Sequence, residues 1–499
     1  MKVKQLDQVY FNPKQLKLPL LLETKIPFDS EARTFDEVFS KIGVEKYLVL
    51  DKNPRGRIGY NPVKMLKLIL FCQMEKIQSL REMEKAAKND IRIMWLTDEL
   101  MPSHQTIKTF IDRYLTKNIQ EIFNDFNKYF IEVEKIDTTK LYIDGTKIES
   151  KANKYTFVWR GSILKYEQNL HKKISKEIKK LNETYKYENI TFNKYEIYEE
   201  EYLNKIKVFL EREIKDRNIE FKYGRGKRKT AHQRHYENIS EYLEKLIKYK
   251  KHLKIMGPNR NSYSKTDNDA TFMRMKEDHM RNGQLKPGYN VQIGVADEYI
   301  LHLDISSERN DYKTLIPFLE GYYKSYGNYP KYPVADAGYG GLVNYRYLKL
   351  NGMELFQKYN MYHKDTNDKK RMNDPYFSLN LIKDGDDYIT IEGERLTFLH
   401  ETKFKSKIYL LPNGKKKEIN DELIEYKKEV IKNLDTEEGI KLRTQRSIQV
   451  EGAFGVIKDV FKARRFRRIG IENVKLEFFL TAIGYNLSKY HNKRYRIVD

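Results

Sequence analysis

The sequence predicts a mixed α/β fold: a sheet with flanking helices, preceded by an all-helical N-terminal region. Three observations lead there. Residues 60–130 carry helix start and stop signals in close succession, short apolar strand runs alternate with helical patterns between residues 141 and 351, and a long amphipathic helix starts near residue 440. With 499 residues and 40% hydrophobic content, the chain can build two or three packed cores.

In the N-terminal region, Asn61-Pro62 reads as a helix cap followed by proline at the first helical position, and Ser103 after Pro102 caps another helix. Between them "SLREMEKAAKNDIRIMWLTDELMPSHQTIKTFIDRYL" has the spacing of two or three short helices, compatible with either helix-turn-helix DNA binding or ordinary core packing. His104 suits a capping or solvent-exposed role better than a DNA contact. The first domain is set at residues 1–135 and the second at 136–499.

The second domain opens with "LYIDGTKIES", a strand that places Asp144 where a turn is expected, since Asp-Gly suits turn geometry. A polar excursion follows, about 155–265. In it Ile163, Leu170, Ile174, Ile178 and Leu181, then Ile239, Leu243, Leu246 and Leu253, recur at helical spacing, which predicts a helical hairpin or short coiled-coil arm with a basic link near 223–235. Residues 289–306 alternate as a hairpin around Ala-Asp-Glu. A helix from about Asp311 to Tyr326, the strand "KYPVADAGYGG", a helix near 341–351 and a strand at "MELFQK" come next. A second excursion, about 360–440, has the alternation of a small β-rich insertion. Without the two excursions the order is three strands, then helix, strand, helix, strand, helix. That is the ribonuclease H-like arrangement, a mixed sheet at one edge of which strand ends and a helix face meet.

Lys plus Arg outnumber Asp plus Glu by 94 to 71, a net charge of +23, and 38 tyrosines accompany them. The balance favours a polyanionic partner, because cations neutralise phosphates and aromatic faces stack on bases. A composition imposed by an AT-rich genome is the plainer alternative. Cys72 is the sole cysteine, which excludes a disulfide framework and a cysteine zinc site. The N-terminus "MKVKQLDQVYFNP" lacks a signal-peptide apolar region, and no run reaches the roughly 20 apolar residues that span a bilayer. A bacterial cytoplasmic protein without membrane contact is expected.

Asp336, like Asp144, sits at the end of a short apolar strand, with glycines directly after it. The third acid is Glu451 in "RSIQVEGAFGVIKDVFKARRFRRIG". On a helix Val450, Phe454, Ile457 and Phe461 form the buried stripe, and Glu451, Lys458 and Lys462 follow the same spacing one residue later, about 100° round. Three converging carboxylates repel one another unless they bind metal, and hard oxygen ligands suit Mg²⁺ or Mn²⁺. Two such ions support an in-line displacement at phosphorus. The tract "KARRFRRIG" adds Arg464, Arg465, Arg467 and Arg468 as candidate phosphate contacts, against the alternative of a solvated helix end.

"YIDGTKIES", "DAGYGG" and "EGAFGVIK" resemble the three catalytic blocks of the DDE transposases of bacterial insertion sequences, and "GYNPVKMLKLILF" through "PSHQTIKTFIDRYL" resembles their N-terminal helical domain. The resemblance runs from about residue 45 to 490 and is weakest in the two insertions. Glu451 followed by Lys458 matches the spacing of the third block. The family's Arg four residues before the Glu, and its Tyr three before that, are replaced here by Ser447 and Thr444. Arg446 stands five residues before Glu451, about 140° away on an α-helix, and whether it belongs to the site is left open.

The resemblance implies a metal-dependent transposase that binds the terminal inverted repeats of its element, cuts there, and joins 3′-hydroxyls to target DNA. Asp144, Asp336 and Glu451 would be catalytic and hold Mg²⁺ or Mn²⁺, and Lys458 would contact phosphate. It further implies double-stranded DNA as partner, a homodimer on paired ends, and a place at the nucleoid. A ribonuclease H-like nuclease without strand transfer, and a non-catalytic DNA-binding repressor derived from a transposase, are the competing readings.

Overall fold

The computed structural model describes residues 22–48, 59–224, 226–275, 284–385, 387–403 and 405–495. The N-terminal stretch "MKVKQLDQVYFNP", expected to lack a signal-peptide apolar region, lies outside the described residues.

The N-terminal helices begin where their caps predict. Helix α1 (Glu31–Lys41) starts at Ser30, whose side chain accepts from the Ala32 N–H. Helix α2 (Pro62–Met74) starts at Asn61, whose side-chain oxygen accepts from Val63 and Lys64 N–H. Almost all of α2 is buried, Cys72 included. Short helices α3 (Leu80–Asn89), α4 (Ile91–Thr97) and α5 (His104–Phe110) follow, then a π-helical turn, Ile111–Leu115, that leads into α6 (Thr116–Glu134). The Ser103 hydroxyl accepts from Thr106 N–H, as a cap should. His104 is tied to α3: its backbone N–H and its Nδ1 lie 2.9 and 2.7 Å from Glu84 Oε2.

Strand β1 (Lys140–Glu149) does not end at Asp144. It runs on through Gly145 as the antiparallel partner of β5 (Leu285–Ala296), with Asp144 opposite Ile293 and Gly145 opposite Gln292. Gly145 is there for space, not for a turn: a Cβ would collide with the Gln292 carboxamide. The short pair β2 (Phe157–Trp159) and β3 (Ser262–Ser264) stands at the root of the first insertion, and β4 (Thr271–Arg274) pairs with the start of β5. The main sheet reads β6 (Tyr299–Ser306), β5, β1, β7 (Tyr332–Gly340), β8 (Phe356–Tyr359) from edge to edge. β5 is antiparallel to both of its neighbours, β6 and β1, and β1, β7 and β8 are parallel. Helices α10 (Leu315–Tyr326) and α11 (Leu342–Leu350) make the crossovers. Strand order and directions are those of a ribonuclease H-like sheet. The predicted helix start at Asp311 is instead a 3₁₀ turn, Asp311–Lys313, and α10 proper begins four residues later.

The first insertion is a three-helix bundle rather than a hairpin. Between the two expected helices, α7 (Arg160–Thr184) and α9 (Ala231–Met256), lies α8 (Glu200–Asp216), which packs Leu203, Ile206 and Leu210 into a core with Leu170, Ile174, Ile178, Leu181, Ile239 and Leu246. The second insertion contains the ribbon β9 (Ile382–Asp384) and β10 (Asp387–Ile389) and the three-stranded sheet β11 (Thr397–Glu401), β12 (Lys407–Leu410) and β13 (Lys416–Ile419) around a small core.

After helix α12 (Asp421–Asp435), helix α13 (Glu437–Arg446) continues through a π turn (Ser447–Glu451), one α turn (Gly452–Gly455) and a second π turn (Val456–Val460). Val450, Phe454, Ile457 and Phe461 form the buried stripe as expected. The expected position of Lys462 on this helix is corrected. The helix has already ended, and Lys462 sits in the left-handed region at φ 54°. The arginine tract beyond it is an irregular segment pinned to β1 at Glu149, not a helix end. A final helix, α14 (Ile471–Arg494), is buried on nearly every side against α2, α6 and β6, so one continuous core joins the N-terminal helices to the sheet. No helix of the described residues is long and apolar enough to cross a membrane.

Candidate active site

The parallel pairing of β1 with β7 puts Tyr142 opposite Val334, so two residues on, Asp144 and Asp336 leave adjacent strands side by side. Both carboxylates are steered by the backbone: Asp144 Oδ1 accepts from Gly145 N–H and Asp336 Oδ1 from Gly338 N–H, each at 2.8 Å. Two neighbouring anions in a partly dehydrated site need a cation. Arg446 supplies it. Its Nη2 lies 3.0 Å from Asp144 Oδ1 and 3.8 Å from Asp336 Oδ2, and its Nε is buried without a hydrogen-bond partner among the described residues.

Arg446 reaches the acids from the last residue of α13, directly before the π turn. A π turn closes i→i+5 rather than i→i+4, so the five residues from Arg446 to Glu451 make about one full turn. The extra residue that separates Arg446 from the family spacing is absorbed there, and the 140° offset expected of an α-helix does not arise. Glu451 closes the turn and is exposed, while the turn itself packs on β1 and β5. Among the described residues no group of three or more acidic, His or Cys side chains is drawn together tightly enough to hold a metal ion. Glu451 therefore stands at the same sheet edge without closing on the two aspartates.

A third aspartate, absent from the sequence-based set, belongs to this edge. Asp311 Oδ1 accepts from Asn290 Nδ2 at 2.8 Å and Gln292 Nε2 at 3.1 Å, both side chains buried on β5. Its Oδ2 and Asp336 Oδ1 flank Gly338, within 3.5 and 3.1 Å of where a Cβ would stand. The Tyr339 hydroxyl donates to Gln292 Oε1. Burial above all, and then the negative charges of Asp311, Asp144 and Asp336, hold that hydroxyl well above the usual phenol range. Only the pairing of β5 with β1 could have revealed Asp311, and nothing in its local sequence signals it. Basic groups ring the acids: burial, then Arg443 and Arg446, push the Lys358 ammonium below the usual lysine range against the pull of Asp336.

The candidate phosphate contacts lie along one border of the site. Lys458 Nζ is 5.9 Å from the centre of the Phe454 ring and shares a cleft with Lys147, Lys286 and Arg464. The tract arginines all have protein partners: Arg464 pairs with Asp459, and Arg465 donates to the carbonyls of Ser150, Lys151 and Ala152. Arg467 bonds Gln78, and Arg468 reaches Asp112 at 3.1 Å. These bonds anchor the tract to the N-terminal helices and to the end of β1.

Residues 404–491, which include Arg446, Glu451, Lys458 and the arginine tract, match the family model for a transposase DDE domain. Residues 21–113, the N-terminal helices through α5, match a second model, transposase domain DUF772. No curated protein and no solved structure matches the chain. Matches to two transposase domains, one toward each end of the chain, support an insertion-sequence DDE transposase.

Proposed function

We propose that the chain recognises the terminal inverted repeats of an insertion sequence, cleaves DNA there and transfers the strand to target DNA, with Asp144, Asp336 and Glu451 as the catalytic carboxylates. One observation carries the reading. Two aspartates leave neighbouring parallel strands together and share the cation Arg446, from the helix that also carries Glu451. The donors are hard oxygens, and a guanidinium already stands between them as a substitute cation, so the pair fits Mg²⁺ or Mn²⁺. Bound there, two ions would supply the Lewis acidity that activates the attacking oxygen and stabilises the leaving one.

The chain's own residues do the rest. Gly145 and Gly338 N–H groups fix the two carboxylates, and Glu451 brings a third from the helix. Lys458 and Lys462 contact backbone phosphate, and Arg464, Arg465, Arg467 and Arg468 border the same DNA path. Water and then a DNA 3′-hydroxyl are the nucleophiles, so no covalent protein intermediate forms. Residues 1–135 act as the end-binding domain and 136–499 as the catalytic domain, working as a homodimer on paired ends at the nucleoid. Joining of a cleaved element end to a target duplex tests the function. A nuclease would leave cuts without joined product.

Arg446→Met tests the site without reference to turnover. Side-chain exposures of 14% for Arg446, 9% for Asp144 and 38% for Asp336 put the cluster mostly out of water. Removing the cation should cost roughly 3 kcal/mol in denaturant unfolding without metal. Mg²⁺ should restore part of that loss and raise the melting temperature more in the variant than in the wild type. Equal Mg²⁺-induced shifts would show that Arg446 does not share the carboxylates with a metal.

A further inference from the structure

The helical insertion has no part in the site just described, yet its charge is unevenly placed. Between residues 160 and 256 Lys and Arg outnumber Asp and Glu by 25 to 15, so a fifth of the chain holds nearly half of its excess charge. The bundle has a closed hydrophobic core of its own, which fixes the surface that α7 and α9 present. A cleft between these two helices is lined by Tyr166, Lys172, Lys173, Lys176, Lys245 and Tyr249, without one acidic side chain. Tyr166 and Tyr249 approach to 6.3 Å between ring centres at one end.

Three of the four cleft lysines have no carboxylate partner among the described residues. Some cations of the arm are matched, Lys205 with Glu201, Lys207 with Glu211, Arg217 with Glu188 and Glu213, Lys229 with Glu237, Lys250 with Glu199 and, in the cleft itself, Lys245 with Glu241, whereas Lys179, Lys215, Lys248 and Lys251 have no ion pair among the described residues. Lys172, Lys173 and Lys176 have no ion pair among the described residues, although all three are exposed. What sets these three apart from the other unpaired lysines of the arm is their place along one concave groove whose lining holds no acid. Lys172 and Lys176 are one helical turn apart, so their ammonium groups form a row along α7, which at 25 residues is about 37 Å long. A row of compact cations flanked by two phenols suits a sugar-phosphate backbone, and +10 on a rigid bundle suits a long one.

The root of the arm gives the direction. The chain leaves β1 five residues after Asp144, and Arg465 of the tract beside Lys458 clamps the carbonyls of Ser150, Lys151 and Ala152 at the exit. Return is through β3 and β4 to β5, the partner of β1. The arm is therefore rooted at the strand that bears Asp144.

We infer that the α7/α9 groove binds the phosphate backbone of duplex DNA running away from the cleavage site, through Lys172, Lys173, Lys176 and Lys245. The inference rests on the transposase reading and adds a contact outside its catalytic residues. The test uses the full chain and random-sequence duplex DNA of several helical turns, since a backbone contact does not depend on sequence. Affinity is measured against salt for the wild type, for Lys172→Gln/Lys173→Gln/Lys176→Gln, and for Lys205→Gln/Lys207→Gln/Lys215→Gln, which removes the same charge from α8 of the same bundle.

The groove variant should bind at least about tenfold more weakly, and its salt slope should fall by roughly three units. The α8 variant should stay near the wild type, and replacing the three groove lysines by Arg should retain binding. Equal effects of the groove and α8 variants, or an unchanged slope in the groove variant with helicity intact, would overturn the groove as a DNA site, as would tighter binding of an RNA duplex of equal length. Those failures leave cleavage by the wild type in place, whereas a wild type that neither binds nor cuts DNA sinks the transposase reading together with the groove.

Discussion

Asp144→Asn, Asp336→Asn and Glu451→Gln should each lower cleavage of element-end DNA by about 10³-fold or more, while DNA binding persists. The expected loss is large because charge placed against the transition state of phosphoryl transfer is commonly the largest catalytic term. The exchanges keep size and hydrogen-bonding capacity, so Gly145 and Gly338 can still donate to the side-chain oxygens at 144 and 336. Folding should change little: neutralising one aspartate relieves its repulsion with the other and leaves Arg446 with one remaining anion. The triple variant should be little worse than any single one, since groups that act as a unit are not additive. Cleavage rates and melting temperatures for all four variants decide the matter. Near-normal cutting by any single variant removes that residue from the site.

Gly484→Val should produce the largest loss of stability. Gly484 lies on α14 where that helix crosses α2, and a Cβ there would stand 2.6 Å from the backbone carbon and oxygen of Gln73. Backbone cannot step aside as a flexible side chain can, so the two helices must separate. Overpacking of this kind costs about 3 kcal/mol or more. The damage should spread, because Asn486 of α14 donates to Asn127 of α6 and accepts from the Ile300 N–H of β6, linking the N-terminal helices to the sheet. Denaturant unfolding should show a lower midpoint for the whole chain. An unchanged midpoint would mean that α14 does not hold α2 at this crossing.

The same crossing marks what the sequence concealed. Helix α14 has apolar residues on every side, as a fully enclosed helix should, and so lacks the periodicity by which α6 or the Val450–Phe461 stripe could be read. Helix α8 was hidden for the opposite reason: three apolar residues, Leu203, Ile206 and Leu210, carry it through a heavily charged segment. The strands of the main sheet were legible because each is a short apolar run between polar ends, and their order led to the ribonuclease H-like topology. Asp144 and Asp336 stood out as acids in such runs. Asp311 did not, since its place depends on Asn290 and Gln292 of a strand paired elsewhere in the sheet. Arg446 was legible as a residue but not as a position, because its angle to Glu451 follows from a π turn that helical spacing rules do not anticipate.

Strand joining by the wild-type chain tests the central claim most directly. A duplex ending in the element's terminal repeat with a free 3′-hydroxyl is incubated with a target duplex and Mg²⁺, and the products are sequenced across the junction. Covalent joining of that 3′-hydroxyl to target phosphate is expected, and a chelator should abolish it. Cuts without any joined junction, or joining that persists in the chelator, would contradict a metal-dependent DDE transposase.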